Sequence, residues 1–217
     1  MAIEAVIFDV DGTIVDTREF IFQSYEYVAR INNFPLPSRA VIASRIGHRL
    51  TENMAFLFPG VAPQKLLDDH RDFQMNNITL VGAHPEAAGV IEQLRAQHKL
   101  VALWTSRRRN LNDVLRSAGY EPELFDAIVD GDMVQQGKPN PEGLLVVLDQ
   151  LRVLPEHSIM VGDANVDIEA AKQIGVAAAI GLTHGFGTRA ELRAANADYI
   201  IDSCTDLLNI IDTIEHT

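Results

Sequence analysis

Short apolar runs that stop at a small or acidic residue recur along this chain, with stretches of helical spacing between them. Ala5-Val6-Ile7-Phe8 ends at Asp9, Leu100-Val101-Ala102-Leu103-Trp104 at Thr105, and Ala127-Ile128-Val129 at Asp130. Ser158-Ile159-Met160-Val161 ends at Gly162-Asp163, and Val176 to Ile180 and Asp198 to Ile201 have the same character. Apolar runs without polar alternation suit strands covered on both faces, as in a parallel sheet. Helices are expected over Glu86 to Gln97, Asn110 to Ala118, Glu142 to Leu151, Asp167 to Ile174 and Arg189 to Ala195. Strands alternating with helices predict an α/β fold, a doubly wound, mostly parallel sheet with right-handed crossovers.

From about Val15 to Gly82 that rhythm breaks. Apolar residues fall at helical spacing (Phe20, Tyr27, Ile31; Leu50, Met54, Leu57), no strand pattern is evident, and Pro35, Pro37, Pro59, Gly60 and Pro63 punctuate the segment. The expected organisation is an α/β core of residues 1–15 and 83–217 with a helical cap domain inserted as 16–82.

Charge narrows the partners. Lys and Arg number 18 against 30 Asp and Glu, a formal net charge of −12, which opposes a nucleic-acid or anionic-membrane surface. Cys204 is the single cysteine, so neither an intrachain disulfide nor a thiolate metal site is available. No apolar run approaches the roughly 20 residues that span a bilayer. The start, MAIEAVIFDVDG, lacks the basic residues of a signal peptide and carries Glu4, Asp9 and Asp11, so a cytoplasmic location is expected.

Ligands of open parallel sheets bind beyond the carboxyl ends of the strands. The polar residues at those ends are Asp9, Asp11, Thr105, Ser106 and Asp163, with Asp167 one helical turn further on and Lys138 in a Gly-Lys-Pro-Asn-Pro loop. Carboxylates gathered at one edge repel unless a cation sits among them, which suggests a hard divalent ion such as Mg²⁺. Thr and Lys add donors for an anion beside it. Together these groups describe phosphoryl transfer.

Asp9-Val10-Asp11-Gly12-Thr13, Thr105 after its apolar run, Lys138, and Gly162-Asp163-Ala164-Asn165-Val166-Asp167 follow one another in order. On these motifs the chain resembles the haloacid dehalogenase (HAD) superfamily, in particular its phosphatases with a helical cap after the first strand. The resemblance covers nearly the whole chain. Thr183-His184-Gly185-Phe186-Gly187 and Ala197-Asp198-Tyr199-Ile200-Ile201 are similar to phosphoglycolate phosphatase and pyrophosphatase members. It implies a Rossmann-like core and a small phosphorylated metabolite as substrate; no oligomeric partner is assigned.

The resemblance also implies roles. Asp9 is the expected nucleophile, forming an aspartyl phosphate, and Asp11 the acid for the leaving oxygen and then the base for water. Gly12 and Thr13 shape the turn out of the strand. Thr105 is expected to donate to a phosphoryl oxygen and Lys138 to neutralise charge. Mg²⁺ is expected on Asp9, Asp163 and the backbone carbonyl of Asp11, with Asp167 orienting Lys138 or a metal-bound water. The cap segment Arg45-Ile46-Gly47-His48-Arg49 resembles a substrate-facing loop, so Gly47, His48 and Arg49 join Ser106 and Arg107 as expected substrate contacts.

The chain departs from the family pattern at Ala164, where relatives often carry Ser or Thr, and at Gly82-Ala83-His84-Pro85 in place of a Pro-Gly turn. Asp11 speaks against a dehalogenase, which has no leaving alkoxide to protonate. The cap's single lysine, Lys65, lies outside the substrate-facing loop, against a phosphonate hydrolase. Two alternatives stay open: a phosphosugar mutase sharing all four motifs, and a phospho-acceptor signalling module with Asp, Thr and Lys at its strand ends.

Overall fold

The computed structural model describes residues 2–216. Six strands form one sheet: β1 (Ala5–Phe8), β4 (Leu100–Trp104), β5 (Ala127–Val129), β6 (Ser158–Gly162), β7 (Ala178–Leu182) and β8 (Tyr199–Ile201). Their order is β5-β4-β1-β6-β7-β8 and every pairing is parallel. The chain builds outward from β1 on one side, then returns to build the other, so the switch in strand order lies beside β1.

Alternation along the strands divides the core into two layers. Val6 and Phe8 of β1 face one apolar cluster with Val101, Leu103, Ile159 and Val161. Ala5 and Ile7 face the other, with Ala102, Trp104 and Met160 against α7 (Glu142–Leu151) and α8 (Asn165–Ile174). The remaining core helices are α5 (Pro85–Ala96), α6 (Leu111–Ser117), α9 (Arg189–Ala194) and α10 (Asp206–His216).

Two elements are displaced from their expected positions. The strand expected over Val176 to Ile180 runs Ala178–Leu182, because it continues through Gly181, which pairs with Gly162 and Ile200. The helix expected from Asp167 begins at Asn165, so Asp167 lies within its first turn and its Oδ2 accepts from the Ala164 N–H at 3.1 Å. That carboxylate satisfies one of the donors a helix start leaves open.

Residues 18–76 hold α1 (Arg18–Ile31), α2 (Arg39–Ala43), α3 (Leu50–Leu57) and α4 (Pro63–Asn76). Their apolar faces, through Phe20, Tyr25, Ile42, Met54, Phe58 and Leu66, join the same cluster as Val6 and Phe8 of the sheet. Burying a side chain of this size contributes roughly 1.5–3 kcal/mol, so the helical segment is seated by apolar contact. One feature departs from the sequence reading: β2 (Val15–Asp16) pairs antiparallel with β3 (Gly82–Ala83). Two residues per strand are too few to leave a hydropathy pattern. Among the described residues no helix is long and apolar enough to cross a membrane.

Candidate active site

Adjacent strands β4, β1 and β6 end at Thr105, Asp9 and Asp163, and the loop from β5 to α7 brings Lys138 over them. Lys138 Nζ lies 2.6 Å from Asp9 Oδ1 and 2.7 Å from Asp167 Oδ1, and donates to the Trp104 carbonyl at 2.8 Å. It also sits 4.6 Å from the centre of the Trp104 ring, which gives Trp104 a place in the site as well as in the core. Burial alone would lower this ammonium, but Asp167 and Asp9 outweigh it and push it up to about 12.

Asp163 is held from two sides. Thr13 Oγ1 donates to its Oδ1 at 3.0 Å and the Phe186 N–H to its Oδ2 at 2.6 Å. Gly12, at φ +83°, has no room for a Cβ, which would lie 2.6 Å from Asp163 Oδ2. Burial, followed by the neighbouring Asp167, raises the Asp163 carboxyl to about 7 against the hydrogen bonds from Phe186 and Thr13. Burial likewise holds Asp9 well above the ordinary carboxylate range; Lys138 opposes this, while Asp167, Asp163 and Asp11 reinforce it.

One oxygen each from Asp9, Asp163 and Asp167 lies within 4.8 Å of the others, all three residues buried. A single ammonium cannot balance three carboxylates, and the donors are all hard oxygen atoms. The set fits a divalent metal ion. The cluster contains Asp167, whereas the carboxylate of Asp11 turns away toward Arg107.

A stability test follows. Between the unfolded carboxyl value near 3.8 and the folded value of about 7, the folded protein holds a proton on Asp163 that the unfolded chain has lost. Stability of the chelated protein should therefore fall as pH rises through that interval. Adding Mg²⁺ at pH 8 should raise Tm by about 5–10 °C at 100-fold excess over Kd, and by less at pH 5. Thermal scans of the chelated protein that stay flat from pH 5 to 8 would remove the raised Asp163 carboxyl from this account.

Above the cluster opens a cavity of about 490 Å³ between the core and the helical segment. Asp9, Asp11, Thr105, Ser106, Arg107 and Asp163 line it from the core, and Gly47 and His48 from the loop between α2 and α3. Gly47, at φ +91°, is where that loop touches the core: a Cβ there would lie 2.6 Å from Val166 Cγ2 and 3.2 Å from the Ala164 methyl. Ser106 Oγ donates to the Gly47 carbonyl at 2.5 Å, so it ties the loop down. His48 is half-buried, and burial followed by Arg45 lowers its imidazole.

Two expected substrate contacts have protein partners in the structure. Arg49 does not line the cavity; its Nη2 donates to the Val134 carbonyl at 3.0 Å and its stem packs on Gly137, bracing the loop that carries Lys138. Arg107 lines the cavity but its guanidinium is engaged with Asp11, at 2.5 and 2.9 Å. Sequence reading missed Tyr25, Asn53, His70 and Gln74, which line the cavity from the helical segment. A signal existed for two of them: Leu66, His70 and Gln74 recur every fourth residue along α4 and are its buried residues. Cys204 is buried, and burial pushes its thiol up to about 12, consistent with a packing role.

The haloacid dehalogenase-like hydrolase profile matches residues 6–180. A phosphorylated carbohydrates phosphatase of Thermotoga maritima is 29% identical over 218 residues, covering 97% of this chain and 99% of that protein. The pyrophosphatase PpaX of Halalkalibacterium halodurans is 31% identical, covering 97% and 98%. A solved structure described as a haloacid dehalogenase-like hydrolase, from Bacteroides fragilis, superposes with a TM-score of 0.87 at 25% identity over 94% of this chain and 99% of that one. With the match running from β1 into β7, across the strands that carry Asp9, Thr105 and Asp163, this chain belongs to the haloacid dehalogenase-like hydrolase family.

Proposed function

We propose that the protein is a Mg²⁺-dependent phosphatase of small phosphorylated metabolites that works through an aspartyl phosphate, with residues 16–82 acting as a cap domain over a core of 1–15 and 83–217. The observation that carries the reading is the buried Asp9–Lys138–Asp167 cluster beside Asp163 on the floor of a cavity roofed by the helical segment.

In the first step an Asp9 oxygen attacks phosphorus, the bond from phosphorus to the leaving oxygen breaks, and Asp11 gives that oxygen its proton. In the second, water attacks phosphorus, Asp11 takes back a proton, and the Asp9–phosphorus bond breaks to release inorganic phosphate. Thr105 Oγ1 accepts from the Arg107 N–H at 3.1 Å, so its own proton is left to donate to a phosphoryl oxygen. Lys138 balances charge at Asp9 throughout. Asp9, Asp163 and the Asp11 carbonyl would hold Mg²⁺, which supplies positive charge to the phosphoryl oxygens when bound.

The cavity is larger than one phosphoryl group requires, which supports an organic leaving group; phosphoglycolate-like compounds, sugar phosphates and pyrophosphate form the candidate set. A panel of these assayed with Mg²⁺ for released phosphate tests the reading. Phosphate release from at least one member, lost in chelator, is expected. Isomerised sugar phosphate without phosphate release would establish a mutase instead, and a long-lived phosphoprotein without turnover would establish a signalling module.

A further inference from the structure

We infer that Arg107 is the positioning residue for Asp11, and that Gln74 makes this positioning depend on the cap lying on the core; the inference rests on the phosphatase reading above. Arg107 Nε donates to Asp11 Oδ2 at 2.9 Å and Nη2 to Oδ1 at 2.5 Å, a two-point grip that fixes the plane of the carboxylate. The pair is largely shielded from solvent, with the Arg107 side chain 5% and the Asp11 side chain 14% exposed. Nη1 donates to Asn110 Oδ1 at 3.0 Å and to Gln74 Oε1 at 3.3 Å, and Asn110 Nδ2 donates to the same Gln74 oxygen at 3.1 Å. Phe20 of α1 lies under the guanidinium, 5.6 Å from ring centre to Cζ.

The backbone of Arg107 belongs to the core, since its N–H donates to Thr105 Oγ1 and its carbonyl accepts from the Gly131 N–H at 2.8 Å. Its side chain is held from both parts, by Asn110 of the core and by the cap through Gln74 on α4 and Phe20 on α1. The grip on Asp11 therefore bridges the two parts of the molecule. A guanidinium has five N–H groups, and here it makes four side-chain hydrogen bonds. One N–H, on Nη2, is left over, so a substrate anion could meet Arg107 at a single point only unless it displaced one of these bonds, which argues against Arg107 as a two-point anion clamp. When the cap lifts, Gln74 and Phe20 leave, and besides Asp11 the guanidinium keeps only Asn110 to aim it. Asp11 is then free to turn, and proton transfer waits for closure.

Steady-state kinetics on an alkyl phosphate, with single-turnover phosphoenzyme formation from p-nitrophenyl phosphate, test this in Arg107→Ala, Arg107→Lys, Gln74→Ala and Gln74→Glu. Arg107→Ala should lower kcat on the alkyl ester about 100-fold, the scale of a lost reactive geometry, with KM changed less than about 3-fold. Phosphoenzyme formation from the nitrophenyl ester, whose leaving group needs little protonation, should fall less than about 5-fold. Guanidinium added to Arg107→Ala should restore part of the alkyl-ester kcat. Gln74→Ala should lower kcat about 5- to 10-fold in the same leaving-group-dependent way, and Gln74→Glu by more, because a second carboxylate competes with Asp11 for Arg107. Arg107→Lys keeps the charge but not the two-point grip and should fall between.

A KM raised 10-fold or more at unchanged kcat in the Arg107 variants would overturn the inference in favour of a substrate contact. Equal losses on both esters in folded Gln74 variants would overturn it in favour of a structural role. Failure of the phosphatase reading would show differently, as absence of any Asp9 phosphoenzyme in the unaltered protein.

Discussion

Asp9→Asn should abolish turnover, while Asp11→Asn should trap the protein as a phosphoenzyme, although the two carboxylates stand two residues apart. Asp9 is buried at the end of β1 with Lys138 at 2.6 Å, and its amide replacement loses both the proposed attacking oxygen and a member of the carboxylate cluster. A loss on the order of 10⁴-fold or more in kcat is expected, as for other removed nucleophiles. Asp11→Asn keeps Asp9, Lys138 and Thr105 intact. In the proposed mechanism it removes the base for the second step, which should slow steady-state turnover about 10²- to 10⁴-fold. With an activated aryl phosphate the proposed first step should still run and leave phosphate on Asp9. Intact-mass analysis after a rapid acid quench should show one added phosphoryl group on the peptide containing Asp9. A label on Ser, Thr or His, or near-normal turnover by Asp9→Asn, would sink the aspartyl-phosphate mechanism.

The second large effect concerns folding as well as chemistry. Lys138→Met removes the ammonium that lies between Asp9 and Asp167, leaving both carboxylates buried without a countercharge. Removing one partner of a buried pair typically costs about 3–5 kcal/mol, which in a chain of this size lowers Tm by roughly 10 °C. The loss should be larger at pH 8 than at pH 5, because protonation relieves the Asp9 carboxyl, which burial already holds above its usual range. Adding Asp167→Asn to Lys138→Met should restore part of the stability and none of the activity. Chemical denaturation of the two variants and their double combination measures both statements. An unchanged unfolding midpoint for Lys138→Met would mean that another group balances the cluster.

Much of this arrangement was legible before the structure because of how parallel sheets work. A buried strand is a short apolar run, and the residue after it stands at the ligand edge, so Asp9, Thr105 and Asp163 announce their positions through the runs that precede them. Lys138 is visible because its loop is bounded by Gly and Pro. What local patterning does not carry is which of several like side chains turns inward. Arg107, Arg108 and Arg109 are three equal letters in a row. In the fold Arg107 is buried on Asp11, Arg108 pairs with Asp132 at 3.2 Å near the surface, and Arg109 takes a left-handed backbone conformation at φ +61°. Their separation depends on where Gln74 arrives from a helix more than 30 residues earlier in the chain. The placement of Arg49 away from the cavity is hidden for the same reason, since its partner, the Val134 carbonyl, lies 85 residues away.

The β2–β3 ribbon has a consequence for how such a molecule can change over time. The chain departs toward the helical segment at Val15–Asp16 and comes back at Gly82–Ala83, and these residues pair directly, Val15 with Ala83 and Asp16 with Gly82. The intervening residues therefore start and finish at one gate of fixed width. Lengthening or rebuilding them adds closure entropy only slowly, about 0.6 kcal/mol per doubling, and leaves the order of the sheet untouched. The gate is not neutral ground, however. The Gly12 N–H donates to the Val15 carbonyl at 2.9 Å, so any replacement roof that twists the ribbon pulls first on the turn carrying Asp11. Diversification of the roof is thus cheap for the fold and constrained by the chemistry at the few hydrogen bonds that join the ribbon to this turn.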